Sequence, residues 1–267
     1  MSLSLAAQAD EINKAIADDP PKVGEAAPNT VTLLRGVMDQ EIGEWQTTAT
    51  VREMTGEDEE ELARLSTKDD LSYAEYTSAL LRRAVTSVGT QSVITNPSLL
   101  DNLIIGDRDL LFLGVVKATY GNIREYSVTC GHCDKSNEVQ VNLDKDFPVM
   151  ESKGSLTEAR TVKLRNGTTV KVKYLTGKDA QSIAAVTGSS AEQNTAVVAH
   201  AVVWDDDRSE AVKTQWAKEL SLADRQTIIS TVLEDQPGPT LEEVDAPCGH
   251  CGENITMVLD WASLLFG

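Results

Sequence analysis

The stretch SVTCGHCDKSNEVQV (residues 127–141) contains a tetrapeptide that returns in DAPCGHCGENITMVL (residues 245–259). The two CGHC copies begin at Cys130 and Cys248, 118 residues apart, and they hold all 4 cysteines of the chain. Two cysteines separated by two residues can form a redox centre or supply two ligands to a metal ion. The choice between these two interpretations decides most of what the sequence says about fold and function.

Composition excludes several classes of protein. The 267 residues fit one large or two small domains, and a hydrophobic content of 41% is sufficient for a core. The net charge is −18 and there is no cluster of Lys and Arg, so neither nucleic acid nor an anionic membrane is an expected partner. The most apolar stretch, residues 99–120, is interrupted by Asp107, Arg108 and Asp109, so we expect no transmembrane helix.

The N-terminus shows no basic segment followed by an apolar run, so we expect no signal peptide and a cytosolic starting point. In the cytosol, C-x-x-C pairs bind metal or perform redox chemistry more often than they form structural disulfides.

Two further pairs of motifs repeat with almost the same spacing as the CGHC copies. Asp107-Arg108 and Asp224-Arg225 are 117 residues apart, and Thr55-Gly56 and Thr176-Gly177 are 121 apart. Three anchors with nearly equal offsets predict an internal duplication. The alternative is two unrelated α/β stretches that use similar turn residues.

Each predicted repeat has the same order of elements. A hairpin opens it, marked in the second repeat by Asn166-Gly167 between two alternating runs and more loosely by residues 30–54 in the first. A helix follows, beginning at Thr55 or Thr176 with an acidic residue three positions later. A second helix comes next, over 72–88 in the first repeat and 191–204 in the second. A third helix carries the Asp-Arg pair, which is interpreted as a buried ion pair. A CGHC hairpin ends the repeat.

The sequence therefore predicts an α+β fold of two pseudo-symmetric repeats, each with a β-hairpin, two to three helices and a C-x-x-C hairpin. The predicted boundaries are an N-terminal arm and linker at 1–29, a first repeat at 30–150 and a second at 151–267.

The residues around the cysteines favour zinc. A redox C-x-x-C motif places its first cysteine at a helix N-terminus, whereas strand-type sequence follows both copies here. A structural zinc ion needs four ligands, and each C-x-x-C turn supplies two thiolates, with Gly131 and Gly252 allowing the backbone to turn. We therefore predict one structural zinc per chain that joins the two repeats; its ligands are Cys130, Cys133, Cys248 and Cys251.

Some alternatives stay open at this point. A thiol-disulfide oxidoreductase that uses CGHC is the runner-up, and a zinc ion completed between two chains is also compatible with the spacing. His132 and His250 are interpreted as solvated or beside the metal, with ligation by either left open. His200, in an apolar helix, is interpreted as a satisfied core histidine.

No catalytic motif accompanies the cysteines. The chain has no GxSxG, Walker A or HExxH sequence. A closed four-cysteine site leaves no coordination position for a reacting water molecule. We therefore expect a protein that is not an enzyme.

The two termini are candidate partner-binding segments. Residues 3–18 are predicted to form a short amphipathic helix, followed by a Pro-containing linker. This helix either docks on a neighbouring chain or is a frayed tail. The apolar C-terminus either completes the core or inserts into a partner. The candidate partner-binding residues are Leu5, Ile12, Ile16, Trp261, Leu264, Leu265 and Phe266.

Residues 99–147 also resemble a known family. The order of Asp107-Arg108, an apolar helix, Tyr120-Gly121, the first CGHC and an alternating strand resembles baseplate hub and hub-assembly proteins of T-even-type contractile-tailed bacteriophages. The resemblance covers residues 45–147 well and 160–266 more loosely, since the second half has no Tyr-Gly and reads LEDQPGPTLEE in that region.

This resemblance implies a structural or assembly protein of the tail baseplate. Such a protein is made in the host cytoplasm, is present in several copies and contacts other tail proteins. Whether the chain stays in the virion or leaves after assembly is not decided by the sequence, and a cellular zinc-ribbon adaptor is a further alternative.

Overall fold

A computed structural model describes residues 29–66, 71–234, 236–240, 243–259 and 261–266. The fold is α+β, with helices packed on several small antiparallel sheets, as predicted. The predicted N-terminal stripe of Leu5, Ile12 and Ile16 lies outside the described residues. No helix in the described ranges is both long and apolar enough to cross a bilayer.

The first half of the chain builds a four-stranded sheet with helices against it, followed by the first CGHC hairpin. Its sheet has the order β1-β2-β3-β4, while β5 and β6 pair with each other. The elements are β1 (Asn29–Asp39), β2 (Glu44–Val51), α1 (Gly56–Ser66), α2 (Tyr73–Ala84), β3 (Val85–Val88), β4 (Gln91–Ser92), α3 (Ser98–Asn102), α4 (Ile105–Tyr120), β5 (Ile123–Thr129), β6 (Ser136–Asn142) and β7 (Val149–Met150).

The second half begins with a smaller hairpin and ends with the second CGHC hairpin and a short helix. The pairs β8-β9, β11-β12 and β7-β10 are all antiparallel, and the last of these connects the two halves. The elements are β8 (Arg160–Lys163), β9 (Thr169–Val172), α5 (Gly177–Ala184), α6 (Ser190–Ala201), α7 (Glu210–Glu219), α8 (Leu222–Leu233), β10 (Gly238–Pro239), β11 (Val244–Pro247), β12 (Asn254–Met257) and α9 (Trp261–Phe266).

Local sequence signals explain the hairpins and helix starts. Gly167 has φ +84° in the turn between β8 and β9, and its N–H donates to the Leu164 carbonyl at 3.0 Å. At the start of α5, the Thr176 N–H donates to the Asp179 carboxylate (2.9 Å), and the Asp179 N–H donates to the Thr176 hydroxyl. Thr55 and Asp58 make the same pair of bonds before α1, so both predicted helix starts are confirmed.

The second helix of each half ends earlier than its sequence predicts. Helix α2 stops at Ala84 and α6 at Ala201, and the valines that follow adopt extended backbone angles. Val85 pairs with Val51 of β2, and Val202 forms a bridge to Val172 of β9. Pairing with an existing strand therefore overrides the helical pattern of these β-branched residues.

The Asp-Arg motif does not form the ion pair that the sequence suggested. The Asp107 carboxylate accepts backbone N–H bonds from three residues of β1, at 2.6 Å from Leu34 and 2.8 Å from Gly36. Arg108 instead donates to the Leu100 carbonyl and to the Ser78 hydroxyl (2.7 Å). Adjacent helical residues project about 100° apart, so the two side chains reach different neighbours.

Two large apolar clusters form the interior. One lies among β1–β3, α2, α4 and the β5-β6 hairpin, and the other among β8, β9, α6 and α8. Five residues near the C-terminus pack into the first cluster: Met257, Leu259, Trp261, Leu264 and Leu265. Leu264 and Leu265 are at most 1% exposed, and Trp261 lies edge-on to Phe112. Three of these residues lie in helix α9, and together the five contribute to the core, which was one of the two predicted alternatives. The side chain of Phe266 lies outside the description.

Candidate metal centre

The two CGHC segments fold into nearly identical turns. In the first, the Cys130 N–H donates to the Lys135 carbonyl (2.9 Å) and the Asp134 N–H donates to the Cys130 carbonyl (3.0 Å). In the second, Cys248 makes the corresponding bonds with Glu253 (2.8 Å) and Gly252 (2.9 Å). Each turn therefore closes around its first cysteine by two backbone hydrogen bonds.

The residue after the second cysteine reverses the chain in both turns. It is Gly252 with φ +78° in the second turn, as expected, but Asp134 with φ +56° in the first. Gly131, which was also predicted to allow the backbone to turn, does not have a positive φ. Aspartate tolerates the left-handed region better than most residues, which is why it can replace glycine here.

The turns bring four sulfur atoms together from distant parts of the chain. The Sγ atoms of Cys130 and Cys251 are 3.8 Å apart, those of Cys133 and Cys248 are 3.7 Å apart, and all four lie within 4.8 Å of one another. Zinc–sulfur bonds of about 2.3 Å in a tetrahedron place the sulfurs about 3.8 Å apart. A disulfide would need about 2.05 Å, so the four cysteines are free and their arrangement fits a tetrahedral ion.

Backbone N–H groups already favour negative charge on part of this cluster. The pKa of Cys248 is lowered to about 6, mainly because the N–H groups of Cys251 and His250 point at its sulfur. At Cys251 the Glu253 N–H lowers the pKa, but desolvation and the three neighbouring sulfurs outweigh it and raise the pKa to about 12. The thiol of Cys248 therefore loses its proton readily, whereas the thiol of Cys251 keeps its proton. A bound cation would be needed to stabilise four thiolates so close together.

The surroundings of the cluster differ from one side to the other. Cys130 and Cys248 are buried with Ile255 in a small apolar cluster, whereas Cys251 is exposed. His132 and His250 each direct a backbone N–H at a sulfur (3.4 Å), and both residues are exposed. Of the described His, Cys, Asp and Glu residues, these four cysteines are the one group that could hold a metal ion.

The environment also bears on the redox alternative. The first CGHC leads into strand β6 and the second into strand β12, so no helix begins at either first cysteine. The helix N-terminus that activates the nucleophile in C-x-x-C oxidoreductases is therefore missing from both turns.

Comparisons with known proteins give one result. Neither a search of curated proteins nor a search of solved structures finds a match to this chain. A family model described as T4 bacteriophage base plate protein matches residues 38–266, a range that includes both CGHC turns. The chain therefore belongs to this family of phage baseplate proteins, structural proteins of the virion tail that contact other tail proteins.

Proposed function

We propose that the chain is a non-enzymatic structural or assembly protein of the hub region of a contractile-tail baseplate. We further propose that one zinc ion per chain, held by all four cysteines, joins its two pseudo-symmetric halves. The observation that carries the zinc proposal is the sulfur cluster, in which each half contributes two thiols at near-tetrahedral spacing. Family membership carries the baseplate assignment.

The donor set favours zinc and a structural role. Four thiolates in a tetrahedron suit zinc or an iron–sulfur cluster, and paired C-x-x-C turns of this kind are typical of structural zinc sites. An ion held by four protein ligands has no open position for substrate or water. Its effect would be to connect two turns 118 residues apart in sequence, which stabilises the folded chain over the unfolded one.

Equivalent contacts in the two halves support the proposed duplication. The Arg52 N–H donates to the Ala84 carbonyl (2.8 Å), and the Lys173 N–H donates to the Ala201 carbonyl (2.9 Å). The guanidinium of Arg108 donates to Ser78 of α2, while that of Arg225 donates to Thr195 of α6. Such contacts connect the same elements in the same order, which two unrelated stretches would not be expected to do.

Metal content tests this proposal directly. The chain is purified without added metal, and zinc per chain is measured together with thiols titrated in denaturant. We expect one zinc and four free thiols in wild type, and loss of zinc in the Cys248→Ser/Cys251→Ser variant. A His132→Ala/His250→Ala variant is the matched control and should keep its zinc, since both turns would retain their thiolates.

The alternatives give different results in the same measurement. Metal-free protein with two disulfides or with reactive thiols would reject the zinc centre and favour a thiol-disulfide oxidoreductase. Light scattering separates a zinc ion within one chain from one shared between chains, because a shared ion requires a dimer whose dissociation follows zinc removal.

We also propose that the N-terminal arm carries contacts to neighbouring tail proteins, through Leu5, Ile12 and Ile16. Leu264 and Leu265 are buried in the core of their own chain, which leaves the N-terminal stripe as the better candidate. A chain lacking residues 1–28 should keep its zinc and its thermal stability but fail to enter baseplates in an assembly reaction. Normal incorporation of this shortened chain would reject the role of the arm.

A further inference from the structure

The side chain of Asn137 connects the two CGHC turns. Asn137 lies in β6, just after the first turn, and its Oδ1 accepts the N–H of Gly249 in the second turn at 2.9 Å. Its Nδ2 donates to the Lys135 carbonyl at 2.9 Å, and this carbonyl also accepts the Cys130 N–H. Since an N–H can only donate and a carbonyl can only accept, these partners fix the orientation of the amide.

This connection exists on one side of the sulfur cluster only. The position that corresponds to Asn137 in the second turn, 118 residues later, is Ile255. Ile255 is 6% exposed and packs against Cys130 and Cys248, so it shields sulfur atoms and has no side-chain acceptor. One position therefore provides a polar link between the turns, and its counterpart provides apolar cover.

We propose that Asn137 is a positioning residue for the metal centre, an inference that rests on the proposed zinc site. The N–H of Gly249 belongs to the peptide unit that follows Cys248, so the amide of Asn137 fixes the backbone next to one of the buried sulfurs. This contact does not require the ion. It therefore holds the second turn near the first in the metal-free chain. Less conformational freedom of the two turns is then lost when the ion binds.

Loss of this contact should weaken metal retention without changing the ligands. Residues that orient metal ligands typically contribute about 10- to 100-fold in metal affinity. The four thiolates are untouched in an Asn137→Ala chain, so the stoichiometry and the coordination geometry should be preserved.

Three variants test the role of Asn137. Asn137→Ala removes both hydrogen bonds, and Asn137→Ile installs the residue found in the second turn and keeps a good strand former. Glu138→Ala is the matched control, because Glu138 is the exposed neighbour on the opposite face of β6. The measurements are the rate of zinc transfer to a chromogenic chelator, the absorption spectrum of the cobalt-substituted protein, and hydrogen exchange of the Gly249 amide in metal-free, reduced protein.

We expect Asn137→Ala and Asn137→Ile to bind one metal with an unchanged four-thiolate cobalt spectrum. Both should lose zinc about 10- to 100-fold faster and exchange the Gly249 amide faster, while Glu138→Ala behaves as wild type. Zinc transfer within twofold of wild type in both Asn137 variants would overturn the positioning role alone. A wild-type chain that binds no metal would overturn the zinc centre and, with it, this inference.

Discussion

The two Asp-Arg motifs occupy the first turn of an apolar helix in each half, yet their environments differ. Asp107 is 0% exposed, and its carboxylate accepts N–H bonds from three successive residues of β1. Asp224 is 8% exposed and accepts one backbone N–H, from Arg165 (2.8 Å), and the hydroxyl of Ser221 (2.7 Å). The same dipeptide therefore holds the middle of strand β1 in the first half and a hairpin turn in the second.

The two environments shift the pKa values of the two carboxyl groups in opposite directions. Burial raises the pKa of Asp107, although the three N–H bonds oppose this rise. The Arg165 N–H and the Ser221 hydroxyl lower the pKa of Asp224. A repeated sequence motif thus fixes where a side chain points, while the depth of packing around it decides whether charge on that side chain is disfavoured or favoured.

The largest effect we expect comes from removing the deeper carboxylate. Asp107→Ala leaves three N–H groups of β1 without their acceptor in the interior, and should lower the free energy of unfolding by about 3 kcal/mol or more. Asp224→Ala is the matched change in the second half and should be clearly milder, because water can reach its partners. Urea unfolding of zinc-loaded protein at pH 7 measures both, and equal losses would contradict the contrast between the halves.

Local signals in the sequence account for the elements that were predicted correctly. Thr55 and Thr176 with an aspartate three residues later define helix starts, and Asn166-Gly167 defines a hairpin, because each depends on neighbours within a few residues. The approach of the four sulfur atoms was predictable from ligand chemistry and the duplication, because one tetrahedral ion needs four thiolates and each C-x-x-C turn supplies two.

Features that depend on distant contacts were missed. Helices α2 and α6 end where β2 and β9 offer backbone partners, and no local signal marks Ala84 or Ala201 as the last helical residue. Asn137 and Asp134 look like ordinary polar residues of a hairpin, and their roles become visible only once the second turn and the backbone angles are known. The C-terminal helix needs the core beneath it, since a six-residue helix is unstable alone.

A second test exchanges one residue between the halves. The residue after Arg108 is Asp109, whereas the residue after Arg225 is Gln226. Burial raises the pKa of Asp109 to about 7, although Arg108 opposes this. An aspartate with a raised pKa disfavours the folded state progressively as the pH rises from about 4, the unfolded value, to about 7.

Asp109→Gln should therefore stabilise the chain at pH 8 and have little effect at pH 4. A pKa raised by about 3 corresponds to about 4 kcal/mol, and solvent screening at the partly exposed Asp109 reduces the expected gain to about 2 kcal/mol. Urea unfolding between these pH values checks the prediction. Asp207→Asn, in an exposed loop, serves as the control and should leave the pH profile unchanged. A gain that does not depend on pH would mean that packing, and not the carboxylate charge, is responsible.

The smallest expected difference concerns the carboxylates at the two capped helix starts. Asp58 is paired with Arg52 (2.6 Å) and Arg83 (2.9 Å), while Asp179 is paired with Lys173 (2.6 Å) and, more distantly, His200 (3.5 Å). Burial alone would raise the pKa of both carboxyls, but hydrogen bonds and charges from these partners, together with the N–H groups of Thr55 and Thr176, outweigh it and lower the pKa of each. Both carboxylates therefore stabilise the fold above the ordinary aspartate pKa, and this contribution is lost as the pH falls below it.

Arg83 lies closer to the Asp58 carboxylate than His200 lies to the Asp179 carboxylate. Arg83→Gln removes a hydrogen-bonded guanidinium and should cost about 1 kcal/mol at pH 7, whereas His200→Gln removes contacts of 3.5 Å to Asp179 and 3.7 Å to Glu210 and should cost about half as much. Thermal unfolding of the two variants side by side resolves such a difference. Equal losses would mean that His200 interacts with its two carboxylates as strongly as Arg83 interacts with Asp58. The two halves would then stabilise the carboxylate at the capped helix start to the same extent.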